Sequence, residues 1–496
     1  MDISNLNSGV RTIGKKTSYK KLLHHIDNNT RNANKIPKRL RLKTGCDPGF
    51  FFGGLNQIKE GCFIGMPQGE DGNIAVIGGN ASGKSSSIAK PTMRHWNGPM
   101  CVTDIKGELS EYYEKLYQDE LVTRPYIIFD PMDEERLSYD PFDFLLWDDE
   151  TNLISNIEEM ASIIIPHNPN AREPFWDDTE RALLAAALLH FFVLGLSFRE
   201  TLSLILGSTA SQLCVRLDGT IDMREKMFIG SLGEMNEETV ASVDRGLRNK
   251  LIPLAADEHI GHAFRGQREG AKCFSWNDLE HHNIFLRIPL HRVERWGCVV
   301  NLMYTQLIHY LERRPEKYSD EGSKSEPTLI LMDEFARFGK LDAIIPAIST
   351  LRSKNVNFCL ILQSLAQLDM IYGQDARRVI LDNCQFQAIL RANDSETQKY
   401  LSNLIGTTIR AQKSVSEQTS KFGDITGYSR QVSENRELRV QPHELSTLED
   451  VLLLTPYGFF RVDKLPPSKG DVQPALLDVP VNDGINDSIW RSLLRD

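Results

Sequence analysis

Eight residues, Gly78-Gly79-Asn80-Ala81-Ser82-Gly83-Lys84-Ser85, carry the densest chemistry in the 496-residue chain. They satisfy the spacing G-x-x-x-x-G-K-[ST]. Glycines at this spacing let backbone N–H groups turn inward around phosphate oxygens. Lys84 would place a point charge on the β- and γ-phosphates, and the Ser85 hydroxyl can ligate Mg²⁺. Ser86 follows at the start of a helix, whose N-terminal dipole favours an anion. A strand over 73–77 leads in, and the helix begun at Ser85 is expected to end near Pro91. Hydrolysis also needs a carboxylate for the metal and a group that orients the attacking water. The apolar run Thr328–Met332 ends in Asp333-Glu334. Asp333 is the candidate magnesium ligand, held through water, and Glu334 the candidate that polarises the nucleophilic water. ATP and Mg²⁺ are therefore the expected cofactors.

These residues must be held by elements. Lys84 and Asp333 lie 249 residues apart. A plain nucleotide-binding core brings its acidic strand much sooner, at about 30 residues per strand–helix unit. A large insertion is implied. Strands are expected at 99–104 and 125–130, with a helix between them over 109–119. Helical periodicity then dominates from 145 to 280, in segments 152–165, 179–196, 198–206, 209–217 and 236–253. Strands resume at 283–290, 358–363, 386–390 and 457–462, and a helix spans 299–313. The segments 314–327 and 411–434 read as a flexible charged loop and a mobile hairpin or loop. The expected organisation is a basic arm (1–45), a nucleotide-binding α/β domain (46–144 and 281–465), an all-α insert (145–280) with a core of its own, and an irregular tail (466–496).

Composition agrees with a globular protein: 41% apolar and 25% charged residues. The net charge of −10 hides an asymmetry. Residues 1–45 carry +9 and the remainder −19. Such an arm suits nucleic acid or an anionic membrane, and equally a solvated tail. The eight cysteines contain no C-x-x-C pair, which points to buried thiols in a reducing compartment rather than disulfides or zinc. The pairs His24-His25 and His281-His282 read as surface histidines. The apolar stretch Ala182–Phe198 is shorter than a bilayer span, contains His190, and is flanked by charge, so a buried core helix is expected. No secretory signal is evident over 1–30.

Several stretches together resemble one family: "GGNASGKS", "VTDIKGEL" (102–109), "FWDDTERALLAAAL" (175–188), "LILMDEFARFGKL" (329–341), "LILQSLAQL" (360–368), "ILDNCQFQAIL" (380–390) and "DSETQKYLSNLIGTT" (394–408). The chain is similar to the type IV secretion coupling proteins, the hexameric ATPases of bacterial conjugation. The resemblance implies an α/β, RecA-like P-loop motor domain with a mainly parallel sheet and an inserted all-α domain. It places Asp104, Lys106 and Glu108 near the nucleotide, makes Gln363 the γ-phosphate sensor, and presents Arg352 to the neighbouring subunit's nucleotide. Arg337 rivals Arg352 for that role. Two departures stand out: Asn80-Ala81 replaces a threonine-glycine, and Ile105 replaces a proline. The family's usual N-terminal transmembrane helices are absent from the sequence. That fits either a soluble subtype that docks on a membrane or channel partner, or a trimmed chain; the segment 35–43 would suit an anionic surface.

The implied function is an ATP-driven motor that feeds single- or double-stranded DNA, with an attached relaxase, to a type IV secretion channel. Its partners would be channel components and further copies in a hexamer; the isolated chain could be a monomer. Its place would be the cytoplasm or the inner face of the cell membrane. Two alternatives remain open: a secretion ATPase for protein substrates alone, recruited through the all-α region, and a nucleotide-dependent assembly switch without translocation.

Overall fold

The computed structural model describes residues 36–54, 62–146, 150–167, 173–219, 228, 230, 235–318, 325–419 and 425–464. The calls on residues 1–35 (His24-His25 among them) and on the tail beyond 464 lie outside them.

Among the described residues the first strands are β1 (Arg41–Lys43), β2 (Gly49–Gly53) and β3 (Cys62–Pro67), in an antiparallel sheet of order β1-β3-β2. The main sheet then starts with β4 (Ile74–Gly78), followed by α1 (Lys90–His95), β5 (Met100–Asp104), α2 (Glu108–Gln118), β6 (Tyr126–Phe129) and the two-residue β7 (Ser138–Tyr139). Among the described residues six helices then have both ends defined: α3 (Glu150–Ile164), α4 (Pro174–Val193), α5 (Phe198–Gly207), α6 (Ala210–Asp218), α7 (Glu237–Ala255) and α8 (Glu258–Ala263). Then come β8 (Cys273–Phe274), β9 (Asn283–Arg287), α9 (Val293–Glu312), β10 (Thr328–Met332), α10 (Ile344–Thr350), β11 (Val356–Leu362), α11 (Leu365–Asp382), β12 (Phe386–Arg391) and α12 (Ser395–Ile405). A long antiparallel ribbon, β13 (Thr407–Thr419) and β14 (Ile425–Leu438), precedes the closing hairpin β15 (Val451–Thr455) and β16 (Gly458–Val462).

Nine strands form the main sheet in the order β16-β15-β12-β4-β11-β10-β5-β9-β6. From β12 to β6 every neighbouring pair is parallel; β15 alone runs against the rest, and β16, antiparallel to β15, runs with them. Parallel strands covered on both faces are apolar throughout: Ile74–Gly78, Thr328–Met332 and Val356–Leu362 are buried at every position. Alternate residues divide between two cores. Ile74, Val76, Leu329, Leu331 and Ile361 pack with Phe50, Phe52, Ile64 and Met66 of the small sheet. Ala75, Ile77, Ile330, Met332 and Leu360 face the opposite way, into the cluster that holds Ile157, Leu183 and Leu247 of the helices.

The fold is thus α/β, with a mainly parallel sheet and a helical insert. The helices occupy one long crossover between β6 and β9, which are neighbours in the sheet. At its neck β7 and β8 pair with each other. The apolar interior of the helices runs on into that of the sheet.

The structure departs from expectation in several places. Residues 36–43 are not a free basic arm: Ile36, Leu40 and Leu42 are buried, Arg41 donates to the Ile36 carbonyl, and Arg39 pairs with Glu70 at 2.5 Å. Pro91 does not end its helix; it sits in the first turn of α1, where its missing N–H is tolerated. The thiols are not all buried: Cys101, Cys359 and Cys384 are, whereas Cys46 is exposed. Strand β15 and the three-stranded sheet went unread in the sequence. Part of the loop 314–327 is tied down, since Lys317 donates to the Gly69 carbonyl at 2.5 Å and Asp71 at 2.8 Å. The stretch Ala182–Phe198 runs from α4, where Leu183–Leu189 are fully buried, through exposed Val193 and Leu194 to the start of α5. No described helix is long and apolar enough to cross a membrane.

Candidate active site

Every parallel strand of the sheet points the same way, so their C-terminal ends converge on one edge, where ligands of open α/β sheets bind. The glycine-rich turn leaves β4 there. Gly83 has φ +88°, in the left-handed region that favours glycine. Ala81 also lies in that region, at φ +54°. A non-glycine residue held there stores roughly 1–2 kcal/mol of strain, so the departure at Ala81 alters the loop's energy as well as its packing. A wide helical turn, Ser85–Ala89, follows, with the Lys90 N–H reaching five residues back to the Ser85 carbonyl.

Lys84 is buried and folds over its own loop. Its ammonium donates to the Gly78 carbonyl at 2.5 Å and the Gly79 carbonyl at 3.0 Å. Burial pulls its pKa down, against the pull of Asp333 and Glu334. Asp333 and Glu334 leave β10, two strands from β4. Burial, and next the Glu334 charge, push the Asp333 carboxyl up to about 7. Glu334 takes a left-handed conformation (φ 52°, ψ 43°). Its side chain is buried yet meets three donors: Lys106 Nζ at 3.1 Å, Gln363 Nε2 at 3.1 Å and Arg337 Nε at 3.3 Å. Gln363 ends β11, the strand between the loop and the acids.

Three buried oxygens at this edge have no hydrogen-bond partner: Ser82 Oγ, Asp333 Oδ2 and Asp104 Oδ1. A hydroxyl and a carboxylate oxygen left bare beside a buried lysine fit a metal–phosphate group.

Not every expected residue joins the cradle. Asp104 is completely buried, but its Oδ2 accepts from the N–H groups of Leu109 and Ser110 and from the Ser110 hydroxyl. That oxygen anchors the start of α2 and so positions the Lys106 loop, while Oδ1 stays bare at the edge. Glu108 lies 3.8 Å from Lys90. Arg352 is exposed and precedes β11, at the end of the sheet remote from Gln363. The seven residues of β11 span roughly 23 Å, so Arg352 cannot reach its own phosphate turn. Arg337 sits beside its own Glu334 instead.

The structure adds residues that the sequence did not reveal. The Gly79 N–H donates to the Arg391 carbonyl at 2.7 Å. A Cβ on Gly79 would stand 3.0 Å from Asn393 Nδ2, and one on Gly83 would stand 2.8 Å from Lys464 Cε. Arg391 ends a strand that had been located, but nothing in its spacing singles it out. Lys464 follows β16, on the far side of the antiparallel hairpin.

A family model described as "Type IV secretory system Conjugative DNA transfer" matches residues 19–454. Protein VirD4 of Rhizobium radiobacter is 25% identical over 399 residues, covering 78% of this chain and 55% of that protein. Conjugal transfer protein TraG of Escherichia coli is 23% identical over 409 residues, covering 76% and 62%. The chain spans little more than half the length of these relatives. Among solved structures, plasmid coupling protein TrwB in complex with ADP and Mg²⁺ superposes with a TM-score of 0.63 at 17% identity, over 90% of this chain and 94% of that one. TrwB with a non-hydrolysable GTP analogue gives 0.59. These likenesses establish the RecA-like fold.

Proposed function

Because the chain belongs to the conjugative DNA-transfer family of type IV secretory systems, we propose that it is an ATP-hydrolysing coupling motor. It would carry DNA, with a bound relaxase, to the secretion channel. The observation that carries this reading is the convergence of Lys84, Asp333, Glu334 and Gln363 at the ends of three successive strands, β4, β11 and β10. A binding switch needs the loop and a metal ligand; it has no need of a second carboxylate buried among three donors.

In this reading Lys84 leaves the carbonyls of Gly78 and Gly79 for the β- and γ-phosphates. Ser85 and Asp333 hold Mg²⁺, which when bound neutralises phosphate charge. Glu334 orients a water for in-line attack and accepts its proton as the γ-phosphoryl group leaves the ADP oxygen. Gln363 donates to Glu334 and stands where the γ-phosphate would arrive, so it can relay that arrival to the base. Arg352 serves the neighbouring subunit's site in a homo-hexameric ring, neutralising charge in the transition state. The ring would work in the cytoplasm, docked at the membrane through channel partners. The domain limits 46–144 with 281–465, and 145–280, assign nucleotide chemistry to the sheet and cargo recognition to the helices.

The test is the ATPase rate of the chain with and without single-stranded DNA, alongside relaxase pull-down. Stimulation by DNA together with relaxase capture is expected. DNA-independent turnover with capture of protein substrates would favour a protein-only secretion ATPase, and binding without turnover an assembly switch.

A further inference from the structure

Two cations stand together beside the phosphate turn without an anion. Lys464 lies directly over Gly83: a Cβ there would be 2.8 Å from its Cε and 3.1 Å from its Nζ. Among the described residues no carboxylate pairs with its ammonium. Burial, and next the Arg391 charge, pull its pKa down. Arg391 in turn has a buried Nε with no hydrogen-bond partner. Elsewhere on the same edge cations are matched: Lys106 and Arg337 share Glu334, and the nearby Arg461 faces Asp450 at 3.4 Å and Glu444 at 3.8 Å. Holding two like charges together, partly buried and unpaired, is unfavourable unless an anion completes the group.

The sheet order says which anion. Asp333, Glu334 and Gln363 lie on the β11–β10 side of β4 and mark the γ-phosphate end. Lys464 and Arg391 lie on the opposite side, with β12, β15 and β16. A nucleotide stretched along the turn would therefore point its α-phosphate and nucleoside towards Lys464. A cavity of about 630 Å³ opens on that side, lined by Glu444, Thr447, Leu448, Glu449, Asp450, Arg461, Asp463 and Lys464; its four carboxylates repel phosphate and can accept from the hydroxyls of a ribose.

We propose that Lys464, backed by Arg391, is a second phosphate-binding lysine of this site, which grips the α- and β-phosphates while the nucleoside lies in the cavity beside it. The proposal rests on the nucleotide reading above. It divides labour between two lysines: Lys84 senses the γ end, whereas Lys464 holds nucleoside diphosphate and triphosphate alike. It also ties the last strand of the sheet to the presence of nucleotide.

The experiment titrates Mg-ADP and Mg-ATP into the full chain and into its Lys464→Gln and Lys464→Arg variants. It reads affinity and the melting temperature with and without nucleotide. A charged hydrogen bond is worth enough that Lys464→Gln should weaken both nucleotides by about tenfold or more. Lys464→Arg, which keeps the charge, should restore most of that loss. Without nucleotide, Lys464→Gln should melt no lower than wild type, because one of two apposed cations is gone. Unchanged ADP affinity in Lys464→Gln overturns the proposal. So does a loss of affinity matched by a lowered melting temperature of the free protein, which would make Lys464 structural. Wild-type chain that binds neither nucleotide would instead bring down the nucleotide reading, and this proposal with it.

Discussion

Glu334 combines three costs at one position: a left-handed backbone, burial, and confinement among Lys106, Arg337 and Gln363. Strain of this kind persists where the surrounding structure over-determines it, and it clusters at functional sites. Glu334→Gln should therefore bind ATP yet hydrolyse it about 10²- to 10⁴-fold more slowly, since the carboxamide is a poor base. A single-turnover assay with nucleotide binding measured in parallel checks this; a loss under tenfold would remove Glu334 from the base role. Lys84→Ala should abolish nucleotide binding or hydrolysis while the circular dichroism spectrum stays native. The lysine bonds carbonyls of its own loop, and its removal opens no cavity in either core.

At the scale of elements, α4 and α7 are tied by polar contacts within an apolar setting. Lys250 of α7 reaches Asp177 at 2.5 Å and Glu180 at 2.6 Å on α4. Burial raises the pKa of Glu180, and Lys250 opposes that shift. A Cβ on Gly246 would stand 1.8 Å from Glu180 Oε1, so α7 can approach this closely only with glycine there. Lys250→Ala leaves the buried Glu180 without its cation and should cost about 1–3 kcal/mol, measurable by denaturant unfolding. The seam between α3 and α9 carries a pH dependence. His309 Nε2 lies 2.8 Å from Glu159 and its Nδ1 3.4 Å from Glu312. The bond to Glu159 holds its pKa above the ordinary value of 6.5. A histidine raised in the folded state contributes stability that is full below the unfolded pKa and lost as pH rises through the folded one. Melting temperatures should therefore decline from mildly acidic into mildly alkaline buffer, and His309→Gln should flatten that slope.

At the scale of the whole molecule, the separation of Arg352 from its own phosphate turn bears on assembly. An arginine at the far end of β11 would meet a nucleotide only in another copy's site, and a ring of identical subunits would supply one through heterologous contacts that close. Lys84→Ala and Arg352→Ala should each be inactive alone. Mixed, some interfaces pair an intact loop with an intact arginine, and partial ATPase activity should return. No recovery at concentrations where rings are visible by electron microscopy would deny Arg352 a role in trans.

Much of this was legible in the chain itself because the signals are local. A phosphate turn needs its glycines and lysine within eight residues, and a strand buried on both faces must be an unbroken apolar run, as at Ile74–Gly78 and Thr328–Met332. The helical insert showed itself by period alone. Tertiary structure decided what depends on neighbours far along the chain. Phe50, Ile64 and Met66 look like scattered apolar residues until the small sheet covers one face of the large one. Asp104 reads only as a residue near the nucleotide, and the fold shows that its Oδ2 also anchors α2. Lys464 carries no motif; it reaches Gly83 only because the β15–β16 hairpin folds back beside β12 and brings its end to the edge where every parallel strand finishes. Spacing along a sequence records chemistry that one turn can hold, whereas a site shared among several strands exists only once their order in the sheet is set.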